Sequence, residues 1–372
     1  PKRALTAVLN ARLIGMLDRL ITACESHLQA VGVSARLMVV RGDGALVSAD
    51  IAREKPIETI LSGPAASIAG ASWLTGETDA LVSDIGGTTT DVCLLSDGRP
   101  KIDPQGARVG PFRTMVEAVA MRTTGLGGDS EVHVVEGLDG GLRLGPRRLM
   151  PISLAAHQYP DLVHAALDRA LTQDIPASDG GQFVIPLWSE IPAGLDAREK
   201  VVADRLQSGP LRLGHAVQSR MENPALGRLI GRGLVIMAGV TPSDASHMLG
   251  LVNAWDKEAA EKALILFARR RTGAGTRLAA GGQALARQII DQLTAQTVDC
   301  LLQAGFAEDD LDWPDPTALA QHPLTKAGLD RHQGVIQVQM SLGVPVIGLG
   351  ASAPTYYGAV GERLGTRMVL PE

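Results

Sequence analysis

The stretch LVSDIGGTTTDVCLL, residues 81–95, has the pattern of a strand, a two-glycine turn, three threonines and a second strand. An ordinary hairpin needs a glycine pair at its tip, but not acids on both sides with hydroxyls between them. Glycines let backbone N–H groups approach a ligand, and threonine hydroxyls add donors beside those amides. This donor array suits phosphate oxygens. The residues that we assign to it are Gly86, Gly87, Thr88, Thr89 and Thr90.

Two acids flank this turn, Asp84 before it and Asp91 after it. Carboxylates repel bare phosphate, but they hold Mg²⁺ or its water ligands well. The combination therefore predicts that a nucleotide and its metal ion bind at the hairpin. A tight hairpin with solvent-facing Asp and Thr side chains is the alternative.

A second glycine loop, TTGLGGDS at residues 123–130, follows a stretch that we predict to be a strand, TMVEAVAM at 114–121. Gly127 and Gly128 again free the backbone, and Asp129 again offers a carboxylate. A plain turn is the alternative interpretation of this loop.

A third glycine site, VPVIGLGASAPTYYGAVGERLG at residues 344–365, has the pattern of a strand, a turn of small residues and a helix. Small side chains leave room for a flat ring against the backbone, and the helix N-terminus favours an anionic or electron-rich group. Close packing of the helix on the sheet would also require small residues. The candidate residues are Gly348, Gly350, Ala351, Ser352 and Ala353.

Composition limits the classes of protein to consider. The chain has 372 residues, of which 45% are hydrophobic, enough for two domains or one large two-lobed domain. A net charge of −5 argues against a general nucleic-acid or membrane surface. We find no signal peptide and no apolar run of the length of a membrane span. Cys24, Cys93 and Cys300 lie far apart, which predicts reduced thiols in a cytoplasmic protein.

Strands alternate with helices along the chain, which indicates an α/β architecture. TPSDASHML at 241–249 predicts a helix start, with Thr241 as N-cap, Pro242 at the first helical position and Asp244 as a further cap. The other predicted helices cover 4–31, 58–74, 257–271 and 283–304, and the late strands cover 335–340 and 344–348.

The order of these sites resembles the second lobe of the actin-like ATPases, and more closely the hydantoinase A/5-oxoprolinase family. Residues 36–92 carry the most specific part of the resemblance, and residues 131–232 match poorly. The resembling segments are TAVLNARLIGMLDRL, RLMVVRGDGALVSADIAREKPIETILSGPAASIAGA, DIGGTTTDV, TPSDASHMLG and GASAPTYYGAVGERLG.

The resemblance implies an α/β fold: an actin-like ATPase (ribonuclease H-like) lobe with a mixed sheet flanked by helices, plus a mainly helical inserted subdomain. We expect residues 1–150 to form the core with the phosphate hairpin and 151–240 to form the insertion. Residues 241–372 would return to the core with an adenosine-type turn. The hairpin and this turn should face one cleft, since one nucleotide must touch both.

The family resemblance also implies the chemistry. ATP would phosphorylate the carbonyl of a cyclic amide or imide of the hydantoin or 5-oxoproline type, and water would then open the ring. Carried over by motif, residues 86–90 would hold the β and γ phosphates, and residues 348–353 would seat the adenosine. Asp84 or Asp91 would orient Mg²⁺, and Asp129 would assist the metal or water.

Members of the family carry an N-terminal domain with another D-x-G-G-T hairpin. Only residues 1–80 precede the one hairpin found here, a position that fits the second phosphate loop. We therefore expect that this chain lacks its partner lobe and is inactive alone. A second hydantoinase-type subunit is a further expected partner.

Several rivals remain open at this point. Kinases and chaperone-like ATPases share the nucleotide motifs but not the signature at 36–76, and ketone carboxylase subunits use the same activation. An iron–sulfur activator ATPase would need paired cysteines. A winged-helix-like binding module is the rival for residues 196–240, although acids interrupt its basic residues. Asp244 has either a capping or a functional role.

Overall fold

Helices and strands alternate along the chain in the computed structural model, which describes residues 2–109, 112–137, 140–177, 179–309, 311 and 313–371. The helices are α1 (Lys2–Ala30), α2 (Ala49–Glu54), α3 (Ser62–Thr75), α4 (Ile152–Gln158), α5 (Pro160–Leu171), α6 (Ala197–Arg205), α7 (Leu213–Ala216), α8 (Asn223–Gly231), α9 (Pro242–Met248), α10 (Lys257–Ala268), α11 (Gly282–Glu308), α12 (Pro316–Gln321), α13 (Pro323–Leu329) and α14 (Ala353–Leu364). The strands are β1 (Met38–Val40), β2 (Leu46–Ser48), β3 (Ala80–Ile85), β4 (Thr90–Ser96), β5 (Arg99–Pro100), β6 (Arg108–Val109), β7 (Phe112–Arg113), β8 (Met121–Thr124), β9 (Ser130–Val134), β10 (Leu142–Arg148), β11 (Met150–Pro151), β12 (Phe183–Pro186), β13 (Leu211–Arg212), β14 (Val235–Gly239), β15 (Val346–Leu349) and β16 (Met368–Val369). Short 3₁₀ helices cover Pro56–Thr59, Leu206–Ser208 and Arg220–Glu222.

Two compact units divide the chain. The first unit comprises Pro1–Ile85, Thr90–Thr124 and Val298–Glu372, and the second comprises Gly86–Thr89 and Gly125–Thr297. The tip of the glycine hairpin, Gly86–Thr89, thus belongs to the second unit, and its two strands, β3 and β4, belong to the first. The domain boundaries expected near residues 150 and 240 stay a prediction.

The first unit is built on a mixed sheet with the strand order β16-β15-β3-β4-β5, and β8 pairs with β4. β15 runs parallel to β3 and places Leu349 opposite Asp84, whereas β3 and β4 are antiparallel. Helix α3 covers one face, where its buried Ala65 and Ala71 let the helix approach Val82 closely. The predicted mixed sheet is confirmed, and β15 lies in it beside the first strand of the hairpin.

The second unit contains a four-stranded sheet with the order β11-β14-β12-β13. β11 and β14 are parallel, while β12 runs antiparallel to both of its neighbours. Apolar residues of α6 and α8, among them Val202, Leu226 and Leu229, pack around Val184 of β12. Most elements between residues 151 and 240 are helical, as predicted, and the strands of this region join one sheet.

Helix α1 has 29 residues and buries only Ile21 of them. That side chain packs with Ala49 and Ala52 of α2. In the part of the chain that the structure describes, neither this helix nor any other is long and apolar enough to cross a membrane.

Three predicted elements are wrong in detail. The helix expected over 58–74 is split, because Leu61 adopts the left-handed region (φ 63°) between a 3₁₀ turn and α3. The strand expected over 114–121 begins only at Met121, because Thr114 turns back and donates its hydroxyl to the Ala107 carbonyl. Residues 335–340 form no strand among the described residues: Val335 and Ile336 are exposed, and only an isolated bridge between Gln333 and Gln337 occurs there.

Two glycines of the first unit test how this packing restricts substitution. Gly70 lies inside α3, where an added Cβ would meet nothing within 4 Å. Gly70→Ala should therefore raise the free energy of unfolding by about 0.5–1 kcal/mol. A Cβ at Gly348 would lie 2.8 Å from both Tyr357 and Leu370, so Gly348→Ala should destabilise the protein. Urea unfolding of both variants measures this, and equal losses of stability would contradict it.

Candidate phosphate hairpin and its supports

The antiparallel pairing of β3 with β4 fixes the hairpin. It places Asp84 directly opposite Asp91 and Ile85 opposite Thr90, whose side chain is buried. The tip closes with a 2.9 Å hydrogen bond from the Gly86 amide to the Thr89 carbonyl. The hairpin between two acids predicted from the sequence is therefore present.

Exposure and free donors distinguish the tip from its strands. Gly86 and Thr88 are exposed, and Gly87 and Thr89 are half-buried. Within the described residues, the amides of Gly87 and Thr88 donate no backbone hydrogen bond. These two donors can therefore serve an acceptor that approaches from outside, and phosphate as that acceptor stays a prediction.

Electrostatics at the strand ends are unfavourable without a cation. Burial raises the pKa of the Asp84 carboxyl, a hydrogen bond from Ser67 opposes that shift, and the charge of Asp91 raises the pKa further. Opposed like charges on neighbouring strands destabilise a sheet. A divalent cation with oxygen ligands would relieve this repulsion, so the pair fits Mg²⁺.

Stability should depend on pH through this carboxyl. Because the folded-state pKa of Asp84 is raised, its stabilising contribution is complete below the ordinary value of 3.8 and is lost as the pH rises through the raised pKa. Asp84→Asn should therefore be more stable than wild type by about 0.2–1 kcal/mol at pH 7. Urea unfolding at a series of pH values measures the difference, which should shrink at acid pH. A difference that does not change with pH would contradict this.

The second glycine loop supports the turn of the hairpin. Within the second unit, the Gly128 amide donates to the Gly86 carbonyl (3.1 Å) and the Asp129 amide donates to the Gly87 carbonyl (2.9 Å). A Cβ on Gly127 would overlap the Gly86 carbonyl oxygen, which explains this glycine. The amides of residues 127–129 are thus engaged inside the protein, since that of Gly127 donates to the Ser130 hydroxyl. Sequence reasoning missed this supporting contact.

Asp129 lies directly beside the turn. Its carboxylate oxygen Oδ2 would be 2.5 Å from a Cβ placed on Gly87. Arg148 donates to the same oxygen at 3.1 Å, and the Ser243 hydroxyl donates to Oδ1 at 3.3 Å. The structure therefore brings the predicted Asp129 to the glycine turn, and it adds two partners that no motif indicated.

The third glycine site joins β15 to α14 in the first unit. Gly350 has φ +103°, and a Cβ there would overlap the carbonyl oxygen of Ile85, the last residue of β3. Gly348 makes room for Tyr357, whose hydroxyl lies 2.7 Å from that of Ser83. Both glycines thus have a packing reason. Ala351 is exposed, Ser352 half-buried and Ala353 buried; an adenosine role for these residues stays a prediction.

The cysteines and the possible metal ligands were the remaining candidates for a second site among the described residues. Cys93 and Cys300 are buried and Cys24 is exposed, all as free thiols. Burial raises the pKa of Cys93 to about 12. Among the described residues, no group of three or more His, Cys, Asp or Glu side chains is arranged to hold a metal ion.

Comparison with known proteins finds relatives of one kind. The hydantoinase/oxoprolinase family model matches residues 3–160. The caprolactamase subunit alpha of Pseudomonas jessenii is 27% identical over 148 residues, which are 39% of this chain and 21% of that subunit. The chain therefore spans much less than the full length of this relative.

Solved structures show the fold. The crystal structure of the ATP-dependent caprolactamase from Pseudomonas jessenii matches with a TM-score of 0.52 at 16% identity, over 98% of this chain and 38% of that one. A nucleotide-free acetone carboxylase structure gives a TM-score of 0.49 at 14% identity, over 93% of this chain and 34% of that one. The chain has the expected actin-like α/β fold.

Proposed function

We propose that this chain, whose residues 3–160 belong to the hydantoinase/oxoprolinase family, is part of an ATP-dependent hydrolase that opens a cyclic amide or imide. The relatives support the class of reaction, since the matched caprolactamases carry a cyclic amide in their name and one is described as ATP-dependent. The substrate that we favour is a five-membered ring of the hydantoin or 5-oxoproline type.

The hairpin is the observation that carries this proposal. Its tip offers the amides of Gly87 and Thr88 and the side chain of the exposed Thr88, next to two opposed carboxylates. A bare anion would be repelled by Asp84 and Asp91, whereas phosphates that arrive with Mg²⁺ are attracted. ATP is thus the co-substrate that this combination suits.

The proposed reaction has two steps. An amide carbonyl is a poor electrophile, so its oxygen first attacks the γ phosphate and ADP leaves. Hydrolysis follows: water adds to the activated carbon and the ring C–N bond breaks with the proton going to nitrogen, which leaves an acyl phosphate. A second water then adds to the acyl carbon, the C–O bond breaks, and phosphate departs from the new carboxylate. The chain's part is to place the phosphates and stabilise the charge that develops on them, which is a large source of rate in such transfers.

Residue roles follow from position. Asp84 and Asp91 would hold Mg²⁺, which supplies positive charge at the transferring phosphoryl group. Residues 86–90 would hold the phosphates, and Asp129 would help to orient the metal or water. Residues 348–353 would seat the adenosine at the start of α14. Gly127 and Gly128 would act by supporting the turn, because their amides are already engaged.

Partners complete the proposal. The matched caprolactamase chain is a subunit alpha, and we propose that the whole protein likewise works with a second, hydantoinase-type subunit. The cytoplasm, expected from the cysteine usage, is the proposed compartment.

Binding by the 372-residue chain alone should be weak. We propose that two phosphate hairpins grip the nucleotide together and that residues 81–95 supply only the second of them. Calorimetry should therefore detect little or no Mg-ATP binding to this chain. The whole protein is the comparison and should bind Mg-ATP. Equal Mg-ATP affinity of the 372-residue chain and the whole protein would show that the nucleotide site needs no second phosphate hairpin.

An ATPase assay tests the function. The whole protein, with its partner subunit, should hydrolyse ATP faster in the presence of a hydantoin or 5-oxoproline. The same ATPase assay is run with ketones, sugars and unfolded peptides in place of the cyclic amide. Stimulation by a sugar or a peptide alone would replace this proposal with a kinase or chaperone function, and stimulation by a ketone alone would replace it with a carboxylase function.

A further inference from the structure

The TPSDASHM segment builds a tightly capped helix start in the second unit. Thr241 is the N-cap of α9, its hydroxyl accepts the Asp244 amide, and the Asp244 carboxylate accepts the Thr241 amide at 3.0 Å. Pro242 occupies the first helical position, where its missing N–H costs nothing. The first turn of α9 is thereby held in one conformation.

Asp244 does more than cap its own helix. Its side chain is fully buried, and its Oδ1 accepts both the amide (2.8 Å) and the hydroxyl (2.7 Å) of Ser153. Its Oδ2 accepts the Ile152 amide at 3.1 Å. These are donors of the first turn of α4, so one buried carboxylate joins the starts of two helices. Such a satisfied network fixes their relative position.

Ser243, the next residue before Asp244, reaches the second glycine loop. Its amide donates to the Gly128 carbonyl at 2.8 Å, and its hydroxyl donates to the same carbonyl at 2.9 Å. The hydroxyl also lies 3.3 Å from Asp129 Oδ1. The first turn of α9 therefore holds the loop at the two residues that support the hairpin.

The chain of contacts ends at the hairpin tip. The amides of Gly128 and Asp129 donate to the carbonyls of Gly86 and Gly87. A shift of the loop would carry these two carbonyls with it, and the neighbouring amides of the turn would change direction.

We propose that Ser243 and Asp244 are positioning residues for the phosphate turn: Asp244 fixes the start of α9, and Ser243 holds the loop on which Gly86 and Gly87 rest. This role rests on the proposed function, because the turn is the proposed phosphate grip. Neither residue is part of the proposed phosphate turn. Each acts through the loop.

The main variant is Ser243→Ala, which removes the hydroxyl bonds to the loop. Ser246→Ala is the matched control, because Ser246 lies buried on the same helix and donates its hydroxyl only within it, to Pro242 at 3.1 Å. Ser243→Thr keeps the hydroxyl and should restore the wild-type behaviour. Melting temperatures confirm that all three variants fold.

Two readouts separate positioning from general stability. Hydrogen exchange on the 372-residue chain should show the amides of Gly128 and Asp129 exchanging about fivefold to tenfold faster in Ser243→Ala, and not in Ser246→Ala. Calorimetry on the whole protein should show Mg-ATP affinity reduced by a similar factor, again in Ser243→Ala only.

The outcomes are distinguishable. Faster exchange and weaker binding in Ser243→Ala alone, with rescue by Ser243→Thr, support the positioning role. Equal exchange in Ser243→Ala and Ser246→Ala overturns it, and so does faster exchange with unchanged Mg-ATP affinity. If the wild-type whole protein binds no Mg-ATP, the proposed function fails, and the exchange result alone then decides whether Ser243 holds the loop.

Discussion

Gly87→Val is expected to weaken Mg-ATP binding by the whole protein by about a hundredfold or more, the size of effect seen when a catalytic donor is lost. A Cβ at this position would lie 2.5 Å from the Oδ2 atom and 3.0 Å from the Cγ atom of Asp129. The valine must therefore push the Asp129 carboxylate aside, and its methyl groups would stand where phosphate should approach the amides. Isothermal calorimetry measures the loss.

The rest of the fold should tolerate this change, because the clash is with the end of one side chain. Gly70→Ala on α3 is the control, since the Cβ that it adds meets nothing within 4 Å, and it should bind Mg-ATP like wild type. Unchanged affinity in Gly87→Val would exclude the tip as the phosphate site.

Asp84→Asn and Asp91→Asn should each lower kcat of the whole protein by about a hundredfold to a thousandfold. Either change removes a charge from the pair that faces across β3 and β4, so Mg²⁺ would be poorly placed at the transferring phosphoryl group. For Asp84 the loss of activity should accompany a gain in stability, because the repulsion within the pair also disappears. Steady-state turnover at saturating ATP and substrate measures the effect.

Asp97→Asn provides the matched control for both variants. Asp97 follows β4 at the end away from the turn, and its left-handed conformation (φ 50°) suits asparagine as well as aspartate. It should keep wild-type turnover. A rate in Asp84→Asn and Asp91→Asn equal to that of this control would rule out the metal role of the pair.

The hairpin could be predicted from the sequence because its features are local. Two glycines between alternating apolar residues define the turn, and strand periodicity decides which acids face each other. The pairing of Asp84 with Asp91 needs no information beyond residues 80–96. The fold of the first unit was also predictable, since the family resemblance implied a mixed sheet flanked by helices, and β15, β3 and β4 form such a sheet with α3 packed on one face.

The supports of the hairpin could not be predicted, because they join residues far apart in the chain. Gly127 is small because the Gly86 carbonyl lies against it, and Arg148 and Ser243 meet Asp129 only in the folded chain. A glycine in the sequence can leave space for a ligand or for a neighbouring backbone segment of the protein itself, and the sequence pattern does not distinguish the two. The same is true of Gly348 and Gly350: a Cβ at Gly348 would meet the Tyr357 side chain, and a Cβ at Gly350 would meet the Ile85 carbonyl.

Local propensity also misled in two places. The apolar residues of 335–340 suit a strand, yet Val335 and Ile336 are exposed and no strand of the described part of the chain pairs with them. Leu61 interrupts the helix expected from 58 onward, because its backbone is left-handed. In both cases the local sequence pattern alone did not determine the conformation.

Oxygen transfer is the most direct test of the proposed chemistry. The whole protein, with its partner subunit, is given ATP and a cyclic amide such as 5-oxoproline carrying ¹⁸O in the ring carbonyl. If that oxygen attacks the γ phosphate and the C–O bond later breaks, the inorganic phosphate released with ring opening carries the ¹⁸O. Mass spectrometry of the phosphate should therefore show one heavy oxygen for each ring opened. Ring opening with unlabelled phosphate, and with all of the ¹⁸O in the product carboxylate, would contradict departure of phosphate with the carbonyl oxygen.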